Sequence, residues 1–155
     1  MKFISITFLI IFLTFPFRSF AALDYGKQSL VGFDFSGSDL KGATFYLTDL
    51  QDANLSNSDL EGASLFGAKL LNTNISNSNL RNATLDSAVF EGTDLRNTNL
   101  EDAFAFNASF KDVKITGADF TNVVIGKVDL EYLCSIAEGV NTSTNRETRI
   151  TLGCN

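Results

Sequence analysis

The side chains in this 155-residue chain that could do chemistry are two cysteines, Cys134 and Cys154, and 18 carboxylates. A cysteine pair can shuttle electrons, hold a metal or cross-link the chain. The spacing rules out a C-x-x-C redox motif, and with no histidine in the sequence a metal site lacks its usual nitrogen ligands. Histidine is also the commonest proton shuttle near neutral pH, so general acid–base catalysis loses its usual agent. The carboxylates do not cluster as a catalytic pair; they recur at regular intervals along the chain. The glycines follow the same rhythm and form no phosphate-binding loop. These residues predict a chain with no catalytic group, no cofactor and no metal.

The rhythm itself describes the element that positions these residues. From Leu30 to Leu130 every fifth residue is a bulky apolar one, as in Leu30, Phe35, Leu40, Phe45, Leu50, Leu55 and Leu60, with Ala105 the sole break. Two residues before it sits, in most units, a small one such as Ala43, Ala53, Ser58, Ala63, Thr73, Ala83 or Ala118. On a helix such residues would lie about 140° apart and form no stripe. On a flat strand an odd period sends them to alternate faces. The period suits a chain that bends once per pentad, always toward the same interior.

The remaining positions agree. The residue before the large one is mostly Asp, Asn, Ser or Thr, as at Asp39, Asp49, Asn54 and Asn99. The second residue after it is mostly Gly, Asn or Asp, as at Gly37, Gly42, Asn57 and Asn97. Such residues tolerate turns and positive φ and mark corners. The only proline lies in the first 21 residues, as expected where amides must pair with a neighbouring coil.

Asp52-Ala53-Asn54-Leu55-Ser56 and its neighbours resemble the pentapeptide-repeat family, whose consensus is A-(D/N)-L-x-x. The resemblance covers about two thirds of the chain. It implies an all-β solenoid, a right-handed quadrilateral β-helix with four pentads per coil. Residues 30–130 would then form about five coils, a rod roughly 25 Å long.

Residues 1–21 carry Lys2, an apolar run from Phe3 to Phe17, and Ser19-Phe20-Ala21, the pattern of a cleaved Sec-type signal peptide. The run is shorter than the ~20 residues that span a bilayer, so no membrane attachment is expected once the signal is removed. A mature start at Ala22 loses Lys2 and Arg18 but no acid, taking the net charge from −6 to −8. That charge disfavours nucleic-acid binding. In an exported protein Cys134 and Cys154 are expected to form a disulfide, worth about 3 kcal/mol for a loop of this size. The Asn-x-Ser/Thr triplets at Asn54, Asn74, Asn82, Asn107 and Asn141 read as chance in a chain rich in these residues.

The expected organisation is a signal over residues 1–21, a β-helix over 22–132 and a short α-helical, disulfide-linked cap over 133–155. Leu130, Leu133, Cys134, Ile136 and Ala137 fall at helical spacing, with Gly139 as a stop. Leu133-Cys134-Ser135-Ile136-Ala137-Glu138-Gly139 and Leu152-Gly153-Cys154 resemble the tails of exported family members of the thylakoid lumen. At the other end, Leu23, Tyr25 and Phe33 suggest an irregular first coil that covers itself.

If residues twenty apart stack, Lys41, Glu61, Arg81 and Glu101 form a column of alternating charge, a stabilising ladder. A second column reads Tyr46, Phe66, Asp86, Phe106, flanked by Leu47 and Phe104. Outward aromatics there suggest a partner-binding ridge of Tyr46, Phe66 and Phe106. The competing reading turns Phe104 or Phe106 inward to fill the space at Ala105. The expected function is a non-catalytic structural or protein-interaction module of the thylakoid lumen or periplasm, a monomer or weak dimer with a protein partner. The alternative is an acidic DNA mimic that inhibits a topoisomerase, as some cytoplasmic relatives do.

Overall fold

From Tyr25 to Ile125 the chain turns a corner at each pentad, and every coil lies against the next in parallel register twenty residues on. The computed structural model describes residues 23–155, so the expected signal and the start at Ala22 lie outside the described residues. The bridges Asp49↔Lys69, Asn54↔Asn74, Asp59↔Asn79 and Ser64↔Thr84 trace the four sides of one coil. The architecture is the right-handed quadrilateral β-helix.

Backbone amides explain why this register holds. In the pentad around Leu50, the Asp49 N–H donates to the Gln28 carbonyl (2.9 Å) in the preceding coil. The Leu50 and Asp52 N–H groups donate to Lys69 (2.9 Å) and Leu71 (2.8 Å) in the following coil. The Ala53 N–H closes the corner on the Leu50 carbonyl (3.0 Å). The fifth N–H, of Gln51, has the Asp49 side chain as its acceptor (3.1 Å). All five donors are thus satisfied, which a buried backbone requires.

That fifth bond gives the Asp/Asn position its reason. It recurs where the N–H groups of Lys41, Ser56, Glu61, Arg81 and Glu101 donate to the side chains of Asp39, Asn54, Asp59, Asn79 and Asn99. While Thr44, Ser64, Lys69 and Thr84 keep isolated bridges there, the four pentads with Val89, Phe104, Ser109 and Val124 lengthen into short strands. Of these, β1 (Val89–Glu91) pairs with β3 (Ser109–Lys111), and β2 (Phe104–Ala105) with β4 (Val124–Ile125). The residue after each corner has φ near +60°, from Lys27 to Asn122 in steps of five, with Asn107 the exception.

Inside, Leu50, Leu55, Leu60 and Leu65 fill one coil and are fully buried, as are Leu70, Ile75, Leu80 and Leu85 in the next. Each such side chain contributes about 1.5–3 kcal/mol by leaving water. The small positions are buried too, and their hydroxyls are satisfied: Thr73 donates to the Leu50 carbonyl (2.8 Å) and Thr98 to Ile75 (3.0 Å). At Ala105 neither phenylalanine turns inward, as the competing reading required, since Phe104 and Phe106 both point out. Bulk increases instead in the neighbouring column, where Phe90 and Phe110 stand in place of leucine and stack at 4.9 Å.

The ends differ from each other. The first coil is regular rather than irregular, with bridges at Asp24 and Ser29 and positive φ at Lys27 and Gly32. The pentad rule reaches back to Tyr25, whose ring stacks on Phe45 at 5.0 Å, while Leu23 and Phe33 stay exposed.

At the other end the cap begins earlier than residue 133. Helix α1 spans Lys127–Ile136 and α2 spans Thr148–Thr151. Leu130 fits both the pentad and the helical register. The helical one wins because a helix satisfies most of its own amides while lending side chains to the last coil. The Phe110 N–H donates to the Asp129 carboxylate (3.0 Å), nineteen residues on, the offset at which Leu50 finds Lys69. Val113 donates to the Tyr132 hydroxyl (3.2 Å), Gly117 to the Glu138 carbonyl (2.9 Å) and Phe120 to the Thr151 hydroxyl (3.1 Å). Cys134 and Cys154 are joined, with Cα atoms 5.6 Å apart. Gly139 (φ 82°) crosses the last coil so closely that a Cβ would stand 2.9 Å from the Gly117 nitrogen. Asn141 is fully buried, with its amide on the Gly117 carbonyl (2.8 Å), which leaves no room for a glycan there.

Arg146 ties cap to rod through Asp119 (3.1 Å) and Glu101 (3.2 Å). Burial alone would raise the Asp119 carboxyl, but hydrogen bonds from Thr121 and the Arg146 charge outweigh it and hold the group below the usual range. The charge column resolves into separate pairs, Lys41–Glu61 (3.9 Å) and Arg81–Glu101 (3.4 Å), with Lys41 closer to Asp59 (3.2 Å).

Two substitutions in one pentad separate these contributions. In urea denaturation, Leu100→Ala should cost about 2–5 kcal/mol and Asn99→Ala about 1 kcal/mol; equal costs would contradict this division. For the cap, a depressed carboxyl adds stability above the ordinary aspartate pKa and loses it as pH falls through the folded value. Arg146→Gln raises that folded value, so acid unfolding should begin at higher pH. An unchanged acid limb in thermal melts over roughly pH 2–6 would show that Arg146 does not set it.

Candidate functional site

The cysteines and the carboxylates just before the inward residues are committed to structure. The cysteines are oxidised to one another. The corner carboxylates accept backbone N–H groups, and Asp94 is further clamped by Arg96. Burial opposes ionisation of Asp94, but the Arg96 hydrogen bond and charge prevail and keep its carboxyl below the usual range. A groove of about 550 Å³ beside the cap is lined by Arg146, Asn145, Thr121 and Ile150, but Arg146 is already paired with Glu101 and Asp119.

What the solenoid does place at the surface is apolar. The residue after each inward side chain points outward, and on one side of the square this position holds Tyr46, Phe66, Asp86 and Phe106. Tyr46 and Phe66 are 39% and 36% exposed and stack on each other with centroids 5.7 Å apart. Lys27 lies over the free face of Tyr46, with Nζ 5.7 Å from the ring centre. Phe106, 63% exposed, does not continue the stack, because Asp86 occupies the coil between it and Phe66. Of the three ridge residues, two are therefore in contact and the third is separated.

A second outward column runs beside the first. Phe104, 61% exposed, pairs with exposed Val124 through β2 and β4. Between the columns lies a hollow of about 270 Å³, lined by Phe66, Asp86, Phe104, Ala105, Phe106, Thr84 and Val124. It brings Phe106 and Phe66 together across the gap. Val124 has no part in the ridge expected from sequence. The signal was present, since Val124 follows Phe104 by twenty residues, the same offset that aligns Phe66 with Phe106 through Asp86.

Leu47 adds to this surface. It is exposed beside Tyr46 and holds φ 52°, where all other corners but Lys27 and Ser87 carry Gly, Asn or Asp. A leucine there costs about 1–2 kcal/mol. Its Cδ2 lies over Gly67 one coil on, 2.5 Å from where a Cβ would stand, so a side chain at that corner would have to displace the leucine.

Comparison with known proteins fits this geometry. The Pentapeptide repeats family profile matches in eight copies, over residues 27–57, 45–82, 63–102 and 83–122. A solved pentapeptide repeat protein from the thylakoid lumen of Arabidopsis thaliana is 43% identical, with a TM-score of 0.82 over 84% of this chain and 90% of that one. The thylakoid lumenal 15 kDa protein 1, chloroplastic, of Arabidopsis thaliana is 53% identical over 47 residues, 30% of this chain. That match spans about a fifth (21%) of the relative's length. With the repeat matched from residue 27 to residue 122 and its corners hydrogen-bonded one by one, the chain belongs to the pentapeptide repeat family.

Proposed function

We propose that this protein is a non-catalytic interaction module of the thylakoid lumen or periplasm, exported by its Sec-type signal. It acts as a monomer or weak dimer and presents the face bearing Tyr46, Phe66 and Phe106 to a protein partner. One observation carries the reading: large apolar side chains recur outward on one side of a rod whose other outward positions are mainly polar. Contiguous apolar patches on soluble proteins commonly mark such contacts. The strained, exposed Leu47 beside Tyr46 supports it, since a residue held in an unfavourable conformation at the surface points to a use there. The likeness to a lumen protein across most of both chains supports the compartment. The engagement of its cysteines and corner carboxylates in structure supports a role without catalysis.

The ridge is tested by replacing Tyr46, Phe66 and Phe106 together with serine. The variant should keep its melting temperature within a few degrees yet lose capture of the partner from lumenal or periplasmic extract. Undiminished capture would refute the ridge. Leu47→Asn, read by thermal unfolding, should stabilise the rod by about 1 kcal/mol and weaken capture. A variant that is destabilised and binds as before would remove Leu47 from the face.

A further inference from the structure

The interruption in the aromatic column has the dimensions and charge of a binding slot. Parallel coils stack at about 4.8 Å, so Phe66 and Phe106, two coils apart, have backbones separated by about 9.6 Å. Tyr46 and Phe66, one coil apart, fill their interval by stacking ring on ring at 5.7 Å. Phe66 and Phe106 both line the hollow, and one layer of the stack is missing between them. The space admits one planar group in contact with both rings, at the offset-stacking distances aromatic faces prefer.

The floor of that gap is Asp86. One oxygen of its carboxylate accepts the Asn107 N–H (3.2 Å), and Asp86 makes no ion pair among the described residues. Phe104 and Val124 close the flank, leaving Asp86 as the one charged side chain in a hollow otherwise lined by apolar residues and Thr84. An occupant must therefore be flat, cationic and able to lie between aromatic faces. Guanidinium meets all three conditions: it stacks on rings and offers paired donors to a carboxylate. A lysine ammonium supplies charge without the plane. The same column already carries a cation on an aromatic face at its other end, where Lys27 sits over Tyr46.

We propose that the slot formed by Phe66, Asp86, Phe104 and Phe106 receives an arginine side chain of the protein partner. This deepens the interaction reading and rests on it. The guanidinium lies between Phe66 and Phe106 and donates to the free Asp86 oxygen, so the ridge selects partners that project an arginine.

The test titrates isotopically labelled protein with N-acetyl-arginine amide, the lysine counterpart and the uncharged citrulline counterpart, read by NMR at the Val124 methyls and the Asn107 amide. The arginine probe should shift both resonances saturably, the lysine probe more weakly and the citrulline probe not at all. Asp86→Asn should weaken the arginine response about tenfold or more, as expected for a lost charge-assisted hydrogen bond, with the remaining spectrum unchanged. Equal shifts with citrulline, no shifts at these two positions, or an unaltered response in Asp86→Asn would overturn the slot. Partner capture separates this from the broader reading. Capture lost in the triple serine variant but undiminished in Asp86→Asn overturns the slot and leaves the ridge. Capture undiminished in the triple serine variant, which removes two walls of the slot, overturns the ridge and the partner arginine with it.

Discussion

Every amide in the solenoid needs an acceptor, and the five-residue unit is a way of supplying one. Three N–H groups reach neighbouring coils, a fourth closes the corner, and in pentads with Asp or Asn just before the inward residue that side chain takes the fifth. Without that last bond the corner would leave a donor unpaired, at a cost of about 1–3 kcal/mol if buried. The hydrophobic column depends on the same ladder, because only coils locked twenty residues apart stack Leu50 on Leu70. Apolar burial supplies the driving force, and the amides fix the geometry in which it acts.

A ladder of this kind has ends, and an exposed edge invites pairing with other chains. At the C-terminal end the protein substitutes side chains for the missing coil. Asp129, Tyr132 and Thr151 accept N–H groups that would otherwise donate to carbonyls further along, and the Glu138 carbonyl accepts a fourth. The disulfide between Cys134 and Cys154 joins α1 to the segment following α2, and Arg146 draws the cap onto Glu101 and Asp119. The cysteines, which alone in the sequence invited a redox or metal reading, are part of this closure.

Much of the architecture was legible because its period is short and its residue types are narrow. The inward positions, the corners, the twenty-residue register, the cysteine pairing and the outward direction of Tyr46 and Phe66 all follow from counting. The boundary at Lys127 was not legible, since Leu130 satisfies both the pentad and the helix and only the amides of the last coil decide between them. The regularity of the first coil was not legible, since Leu23 and Phe33 are large residues at small positions, yet the backbone keeps its register there and leaves them exposed. The Asx role of Asp49 or Asn99 was hidden behind the broader fact that such residues favour turns. The ridge was read as one column; β2 and β4 make it two, because Phe104 and Val124 precede the inward residue while Phe66 and Phe106 follow one.

The surface consequences all rest on the register, since a shift of one pentad would move Asp86 out from between Phe66 and Phe106. The most direct measurement is NMR detection of scalar couplings across hydrogen bonds in labelled protein. Couplings are predicted from the Leu50 nitrogen to the Lys69 carbonyl carbon, from Asp52 to Leu71 and from Leu100 to Asp119. Couplings confined to carbonyls four residues earlier in the chain, as in an α-helix, or to a different inter-coil offset, would contradict the account.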